Sequence, residues 1–249
     1  MAIGRGIFLA LTAPVRAGYT EQNAPFEGQG REEGMGCILV TGFEPFGGEK
    51  INPSWLAAER LPAVVAGRPV EKLLLPVEFG ASARLLCRRL EQLQPEVVLC
   101  LGQAGGRAAL TAERVAINIM DASQPDNAGF QPQDQPVCPG GPAAYFSSLP
   151  LKACVQAAWQ AGVPAAVSNT AGTYVCNQLL YAALDWAQKN DCAAKTGFVH
   201  LPWLPVQVLD RPGQPSMELD TMVRGIQAVL EAALETEEGE NNGSGTENP

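Results

Sequence analysis

Hydrophobic residues in this chain form short continuous runs that alternate with segments of helical periodicity. The apolar runs predict buried strands at 37–41, 72–77, 96–102, 114–119, 164–167 and 196–200. Apolar positions at helical spacing predict helices at 52–61, 81–93, 151–161, 179–189 and 218–234. Because strands and helices alternate, we predict a single three-layer α/β/α domain over residues 37–235, built on a mostly parallel, mixed and twisted sheet.

The two ends of the chain differ from this pattern. Residues 1–36 contain an apolar run at 7–11 that weakly resembles a signal peptide, but Pro14 ends it early. We interpret this segment as a poorly ordered N-terminal extension or as the product of a start codon assigned too far upstream. Residues 236–249 are acidic and rich in Gly, Asn and Ser, so we predict a disordered tail.

Composition narrows the classes of partner and cofactor. The net charge of −9 argues against a nucleic-acid partner. No apolar run approaches the roughly 20 residues that a membrane span requires. The 7 cysteines show no Cys-x-x-Cys spacing and the chain has 1 histidine, so a metal site is not expected. These features predict free thiols in a cytoplasmic protein.

Cys176 lies between a predicted strand and a predicted helix, after a tight turn marked by Ala171 and Gly172. Free backbone N–H groups and the helix dipole at such a helix start favour a thiolate, which is the nucleophilic form of cysteine. A nucleophile is one interpretation of this residue. A buried structural cysteine is the other, since free cysteines are usually buried.

His200, the only histidine, lies near the end of a predicted strand, where open α/β sheets place their functional sites. Its ordinary pKa near neutrality makes it the natural base for Cys176, although a lone histidine can also be an ordinary core or surface residue. Phe43 and Gln103 follow other predicted strands at the same kind of edge. The glycine-rich segments 47–48 and 102–106 do not fit a nucleotide-binding pattern.

The order of these motifs resembles a known peptidase family. The matching segments are 40–48 with 52–55, 102–107 with 113–118, 168–177, and 197–205. Together they cover about residues 37–230 and are similar to the signatures of pyroglutamyl peptidase I, also called pyrrolidone-carboxylate peptidase. The resemblance implies a cysteine exopeptidase, an omega peptidase, that removes N-terminal pyroglutamate from peptides through a thioester. It further implies a homo-oligomer, dimer or tetramer, without a cofactor.

The resemblance also implies roles for individual residues. The catalytic positions fall on Cys176, His200 and Glu113, although an acidic residue ahead of a predicted strand would by itself be expected on the surface. The substrate-binding positions fall on Phe43, Phe46, Asn52, Gln103 and Val175. Aromatic faces can enclose the small uncharged lactam ring while amide groups pair its polar atoms. A role of both phenylalanines in the core is the alternative.

The chain departs from the family pattern near the expected site. Ser123 follows Asp121-Ala122, where bacterial members carry an arginine that assists at the oxyanion, and Gln178 stands where histidine is frequent. The first departure bears on full activity, and the second does not touch the proposed chemistry. Two other hypotheses stay open beside the peptidase. One is a degenerate relative that binds small lactams or amides without efficient turnover, and the other is a different small-amide cysteine hydrolase.

Overall fold

The structure, a computed structural model, describes residues 36–235. The predicted N-terminal extension, apart from its last residue, and the predicted acidic tail lie outside the described residues. The strands are β1 Ile38–Phe43, β2 Val64–Val65, β3 Arg68–Leu75, β4 Val97–Gln103, β5 Leu110–Glu113, β6 Val115–Ile117, β7 Ala144–Phe146, β8 Ala165–Ser168 and β9 Lys195–Leu201. The helices are α1 Pro53–Arg60, α2 Ala81–Leu93, α3 Leu151–Gln160, α4 Val175–Lys189 and α5 Leu219–Glu235, with a short 3-10 helix at Pro205–Val208.

Seven strands form one sheet in the order β2-β3-β1-β4-β9-β5-β8. The neighbours β3, β1, β4 and β9 run parallel, whereas β5 runs antiparallel to β9 and parallel to β8. The predicted mostly parallel, mixed sheet is therefore confirmed. The remaining strands, β6 and β7, form a separate antiparallel pair.

Helices cover both faces of the sheet, as the three-layer prediction requires. One apolar cluster joins the sheet to α1, α3 and α5, and the other joins it to α2 and α4. Successive residues of the central strand β1 enter different clusters: Ile38 and Val40 face the first, and Leu39 and Phe43 face the second. Burial on both faces explains why the central strands are continuous apolar runs rather than alternating ones.

The prediction of a strand at 114–119 was wrong in its extent. The main sheet instead contains β5, and the predicted segment contributes only β6 to the separate pair. The sequence of β5, Leu-Thr-Ala-Glu, has no apolar run because Thr111 and Glu113 lie on the face that carries the site. Hydrophobicity alone therefore gives no signal for β5, and the very short β2 and β7 were missed as well.

The polar segment 121–142, predicted as a long functional loop, is fixed to the rest of the domain. The Asp126 carboxylate accepts hydrogen bonds from the backbone N–H groups of Phe79, Ala128 and Phe130 at 2.8–2.9 Å. The side chain of Asn127 donates to Glu44 Oε1 and to the Pro45 carbonyl, each at 2.9 Å. Polar side chains thus hold this segment against the loop that follows β1.

Within residues 36–235, no helix combines the length and apolarity needed to cross a membrane. All 7 cysteines lie in this range and are free thiols. The described residues contain no cluster of three or more His, Cys, Asp or Glu side chains suited to a metal ion.

Gly42 sets the approach of α1 to β1, which leads to a prediction. A Cβ atom at this position would lie 2.6 Å from Trp55 Cα and 2.7 Å from the Ser54 carbonyl oxygen, and these backbone atoms cannot rotate away. We expect Gly42→Ala to lower the free energy of unfolding by about 1–3 kcal/mol, measured by urea denaturation. Val64→Ala, at an exposed position, is the control and should change it by less than about 0.5 kcal/mol. An unchanged urea midpoint for Gly42→Ala would contradict this account of the contact.

Candidate active site

Three predicted site residues lie at one edge of the sheet. Phe43 ends β1, Gln103 ends β4, and His200 is the penultimate residue of β9. Because these strands are adjacent and parallel, their carboxyl ends meet at the same edge. The expectation drawn from the strand ends is confirmed for all three residues.

The register places a glycine between the predicted pocket and the predicted base. Gly102 of β4 pairs with His200 of β9, and Thr41 of β1 pairs with Cys100 of β4. If the pairing of β1 with β4 is continued by two residues, Phe43 lies beside Gly102. Since paired residues of parallel strands point to the same face, Phe43, Gly102 and His200 form a row across the sheet on the face covered by α4.

Cys176 lies above this glycine. A Cβ atom at Gly102 would be 2.9 Å from the Cys176 Sγ atom and 2.6 Å from the ring of Phe198. The rings of Phe198 and His200 are in contact, with centroids 4.7 Å apart, so the imidazole is packed on the same face. Because Gly102 has no side chain, the thiol of Cys176 has room to lie next to the row of residues that includes His200.

The position of the thiol is fixed by the first turn of α4. Cys176 is the second residue of this helix, as its place after a tight turn predicted. The next residue, Asn177, accepts a hydrogen bond from the Ile117 N–H at 2.9 Å and donates to the carbonyls of Ile117 at 2.9 Å and Ile119 at 3.0 Å. One buried amide thus fastens the start of α4 to the end of β6.

Glu113 and His200 form a buried pair. His200 Nδ1 lies 2.7 Å from Glu113 Oε1, and the Glu113 side chain has no exposed surface. In the neutral imidazole, this contact assigns the hydrogen to Nδ1 and leaves Nε2 as the proton acceptor. From the sequence alone, Glu113 would be expected on the surface. In the structure its side chain is fully buried.

Arg107 also contacts this carboxylate. Its Nη1 lies 2.6 Å from Glu113 Oε1 and donates to the hydroxyl of Thr111, and its Nη2 donates to the Thr170 carbonyl at 3.4 Å. The sequence offered Arg107 as part of a motif but gave no reason to pair it with Glu113. Their contact depends on β5, the strand that hydrophobicity did not predict.

Burial and charge set the protonation states of the pair. Burial raises the pKa of the Glu113 carboxyl, but hydrogen bonds and charge, chiefly from His200, outweigh it and hold that pKa below its ordinary value. Burial lowers the pKa of His200, and the Glu113 carboxylate only partly opposes this effect. At neutral pH the pair is therefore a carboxylate and a neutral imidazole.

The thiol of Cys176 corrects one expectation from the sequence. Burial, followed by the Glu113 carboxylate and Cys100, raises the pKa of Cys176 to about 12, although Arg107 and the backbone at the helix start act in the opposite direction. A position at the start of a helix was expected to favour the thiolate. Desolvation in this half-buried site is the stronger effect, so at neutral pH the unliganded protein carries a thiol.

A small cavity next to Cys176 contains every predicted substrate-binding residue. Its free volume is only about 10 Å³, and it is lined by Phe43, Phe46, Asn52, Val77, Gln103, Tyr174, Val175 and Cys176. Val77 and Tyr174 were not predicted. Tyr174 directly precedes the helix that carries Cys176, and its ring lies 6.2 Å from that of Phe46, so its position in the chain was the available signal.

The two amide side chains of the cavity are partly engaged within the protein. Asn52 Oδ1 caps α1 by accepting from the Ser54 N–H at 3.0 Å and the Ser54 hydroxyl at 2.8 Å. Its Nδ2 donates to the Glu44 carbonyl at 2.9 Å, and Gln103 Oε1 accepts from Gln207 at 2.9 Å. These bonds fix the orientation of both amides beside the cavity.

A wider groove lies beside the cavity. Its volume is about 400 Å³, and it is lined by Asp121, Ala122, Ser123, Gln124, Thr173 and Tyr174. Tyr174 borders both spaces, so Ser123 lies on a wall that adjoins the cavity next to Cys176. The residue that departs from the family pattern is therefore close to the candidate site.

Comparisons with known proteins agree with this arrangement. The family model described as pyroglutamyl peptidase matches residues 36–236 of this chain. A pyrrolidone-carboxylate peptidase of Levilactobacillus brevis is 52% identical over 197 residues, which cover 79% of this chain and 97% of that protein. A pyrrolidone-carboxylate peptidase of Thermococcus onnurineus is 49% identical over 197 residues, with coverage of 79% and 98%.

Solved structures give the same result. The crystal structure of pyroglutamyl peptidase I from Bacillus amyloliquefaciens matches with a TM-score of 0.76 at 41% identity, covering 80% of this chain and 96% of that chain. A mutant pyrrolidone carboxyl peptidase from Pyrococcus furiosus matches with a TM-score of 0.77 at 39% identity, with coverage of 80% and 98%. The resemblance drawn from the sequence motifs is thus confirmed, and the chain belongs to the pyroglutamyl peptidase family.

Proposed function

We propose that this chain is a cysteine exopeptidase that removes N-terminal pyroglutamate from peptides, with Cys176, His200 and Glu113 as its catalytic residues. The observation that carries the proposal is the position of the thiol. Cys176 borders the cavity lined by Phe43, Phe46, Asn52, Gln103 and Val175, and its Sγ lies over the glycine that pairs with His200.

The first step forms the thioester. The side chains around the cavity move apart to admit the pyroglutamyl ring, and the carbonyl of the scissile amide reaches Cys176. Because thiol and imidazole are both neutral in the free protein, His200 Nε2 accepts the thiol proton as Sγ attacks the carbonyl carbon. Backbone N–H groups in the first turn of α4 stabilise the oxyanion that forms.

His200 then returns the proton. The imidazolium donates it to the leaving amine, the C–N bond breaks, and the shortened peptide departs. A water molecule, deprotonated by the same imidazole, hydrolyses the thioester and releases pyroglutamate. During both steps the Glu113 carboxylate stabilises the transient imidazolium and fixes the ring orientation, the role of the acidic residue in serine and cysteine triads.

The cavity gives a physical basis for selectivity. Aromatic and apolar walls suit the uncharged ring, and the free N–H groups of Gln103 and Asn52 suit its carbonyl oxygen. An N-terminal glutamine or glutamate would bring a charged ammonium into this small space, where desolvation is costly. N-terminal proline has the ring but lacks the carbonyl, and would leave these donors unpaired.

Turnover assays on coumarin amides test both chemistry and selectivity. We expect hydrolysis of the pyroglutamyl amide, with kcat/KM for the prolyl and glutaminyl amides lower by about 10- to 100-fold or more. Cys176→Ser should abolish turnover, and Cys192→Ser, the control, should retain it. Tight lactam binding without turnover would support the degenerate binding protein instead, and equal hydrolysis of glutaminyl amides would support the more general amide hydrolase.

The protonated thiol gives a second prediction. With its pKa raised to about 12, the alkylation rate of Cys176 by iodoacetamide should keep rising up to about pH 10 without a plateau. Peptide mapping by mass spectrometry at each pH separates Cys176 from the other cysteines, and circular dichroism verifies that the protein stays folded. A plateau near neutral pH would show that a thiolate–imidazolium pair already exists in the free enzyme.

Ser123 gives a third prediction. An arginine at this position would bring a fixed positive charge to a groove that adjoins the cavity across Tyr174. Loss of one oxyanion donor costs on the order of 10²–10³ in kcat in a well-studied protease, so we expect Ser123→Arg to raise kcat by about tenfold with little change in KM.

Gln124→Arg is the matched control for this variant, since it places the same charge on the next residue of the same groove. It should leave kcat close to that of the wild type. An unchanged or lower kcat in folded Ser123→Arg would rule out the missing charge as a limit on the reaction.

Other features inferred from the sequence remain predictions: a cytoplasmic location, a dimeric or tetrameric homo-oligomer, action without a metal or cofactor, and a peptidase domain at 37–235 between two terminal extensions. Analytical ultracentrifugation of the full chain tests the oligomeric state.

A further inference from the structure

Arg107 connects three parts of the chain that surround the candidate catalytic residues. It lies after β4, and its guanidinium donates to Glu113 and Thr111 of β5 and to the carbonyl of Thr170 in the segment before α4. The mechanism proposed above gives this side chain no role.

We propose that Arg107 is a positioning residue that orients the Glu113 carboxylate and, through its fixed charge, keeps His200 in the neutral form that accepts the thiol proton. This inference rests on the proposed function. It goes beyond that function by adding a fourth residue, which acts on the imidazole through Glu113.

The contacts are concentrated on one oxygen atom. Glu113 Oε1 lies 2.7 Å from His200 Nδ1 and 2.6 Å from Arg107 Nη1. A guanidinium stays charged at every pH at which the protein is folded. The carboxylate is therefore already paired with one full positive charge, and it stabilises an imidazolium less than it would in an isolated pair. Arg107 thus sets how strongly Glu113 can favour protonation of His200.

The environment makes this charge effective. Glu113 has no exposed side-chain surface, His200 is buried, and the side chain of Arg107 is only 30% exposed. Charges in such a setting are screened far less than pairs on the surface. Removal of the guanidinium would also leave the buried carboxylate with His200 as its nearest cationic partner, which favours the imidazolium.

The titratable groups around His200 act in opposite directions. Burial lowers the pKa of His200 most, Glu113 from β5 raises it, and Arg107 from the segment after β4 lowers it. Cys176 from α4 lies beside Gly102, the strand partner of His200, and is an uncharged thiol at neutral pH. Loss of the Arg107 charge therefore raises the pKa of His200.

The single histidine makes this effect directly measurable. NMR of protein labelled at histidine Cε1 reports the titration of His200 alone, without any requirement for turnover. The experiment compares wild type, Arg107→Gln and Arg107→Lys, and adds the pH dependence of kcat/KM for the pyroglutamyl amide. Arg114→Gln is the control, because Arg114 is exposed and adjoins Glu113 in sequence.

The two variants separate charge from geometry. In Arg107→Gln we expect the pKa of His200 to rise and the acidic limb of kcat/KM to move to higher pH with it. In Arg107→Lys the charge remains, so the pKa of His200 should stay near the wild-type value, while loss of the planar contacts lowers kcat by about 10- to 100-fold. Arg114→Gln should change neither quantity.

Several results would overturn the proposal. An unchanged His200 titration in folded Arg107→Gln would remove the charge role, and wild-type kcat in Arg107→Lys would remove the positioning role. Arg107→Met replaces the glutamine variant if that variant does not fold. If Arg107→Gln and Arg107→Met both fail to fold while Arg107→Lys folds, the charge of Arg107 serves stability alone, and the proposal is wrong. Absence of turnover in the wild type would refute the proposed function and leave the NMR comparison to decide the effect of Arg107 on His200.

Discussion

A fully buried carboxylate is the constraint around which this site is arranged. An isolated charge in a protein interior is strongly unfavourable, so Glu113 requires partners that approach it closely. Arg107 and His200 meet that requirement on a single oxygen, and each comes from a different segment of the chain. The burial that makes the carboxylate dependent on these partners also lowers the pKa of His200 and raises that of Cys176, so the neutral states of imidazole and thiol have one physical origin.

The sheet supplies the geometry through a reversal of strand direction. Parallel strands bring Phe43 and Gln103 to the edge at which His200 lies, whereas β5 enters beside β9 in the opposite direction. Thr111, not Glu113, is the residue opposite His200, so the carboxylate lies two residues deeper in the sheet and reaches back to the imidazole. This depth explains why Glu113 is fully buried while Thr111 is only half-buried.

Much of this arrangement could be predicted from the sequence. Continuous apolar runs identified the central strands, and their ends gave the positions of Phe43, Gln103 and His200. Residues whose role depends on a contact distant in sequence were harder to predict: Arg107 acquires its partner only through β5, a strand without an apolar run. The protonation of Cys176 could not be predicted either, because the helix start is visible in the sequence whereas the desolvation that outweighs it is not.

The cavity beside Cys176 is assembled from β1, the start of α1, β4 and the start of α4, and polar contacts from the segment 121–142 hold its rim. No contiguous stretch of the chain contains enough of these walls to recognise a substrate. A chain emerging from the ribosome, or one partly opened by heat, therefore has no pocket. Peptidase activity is therefore a property of the completed fold, and a partly folded chain is latent.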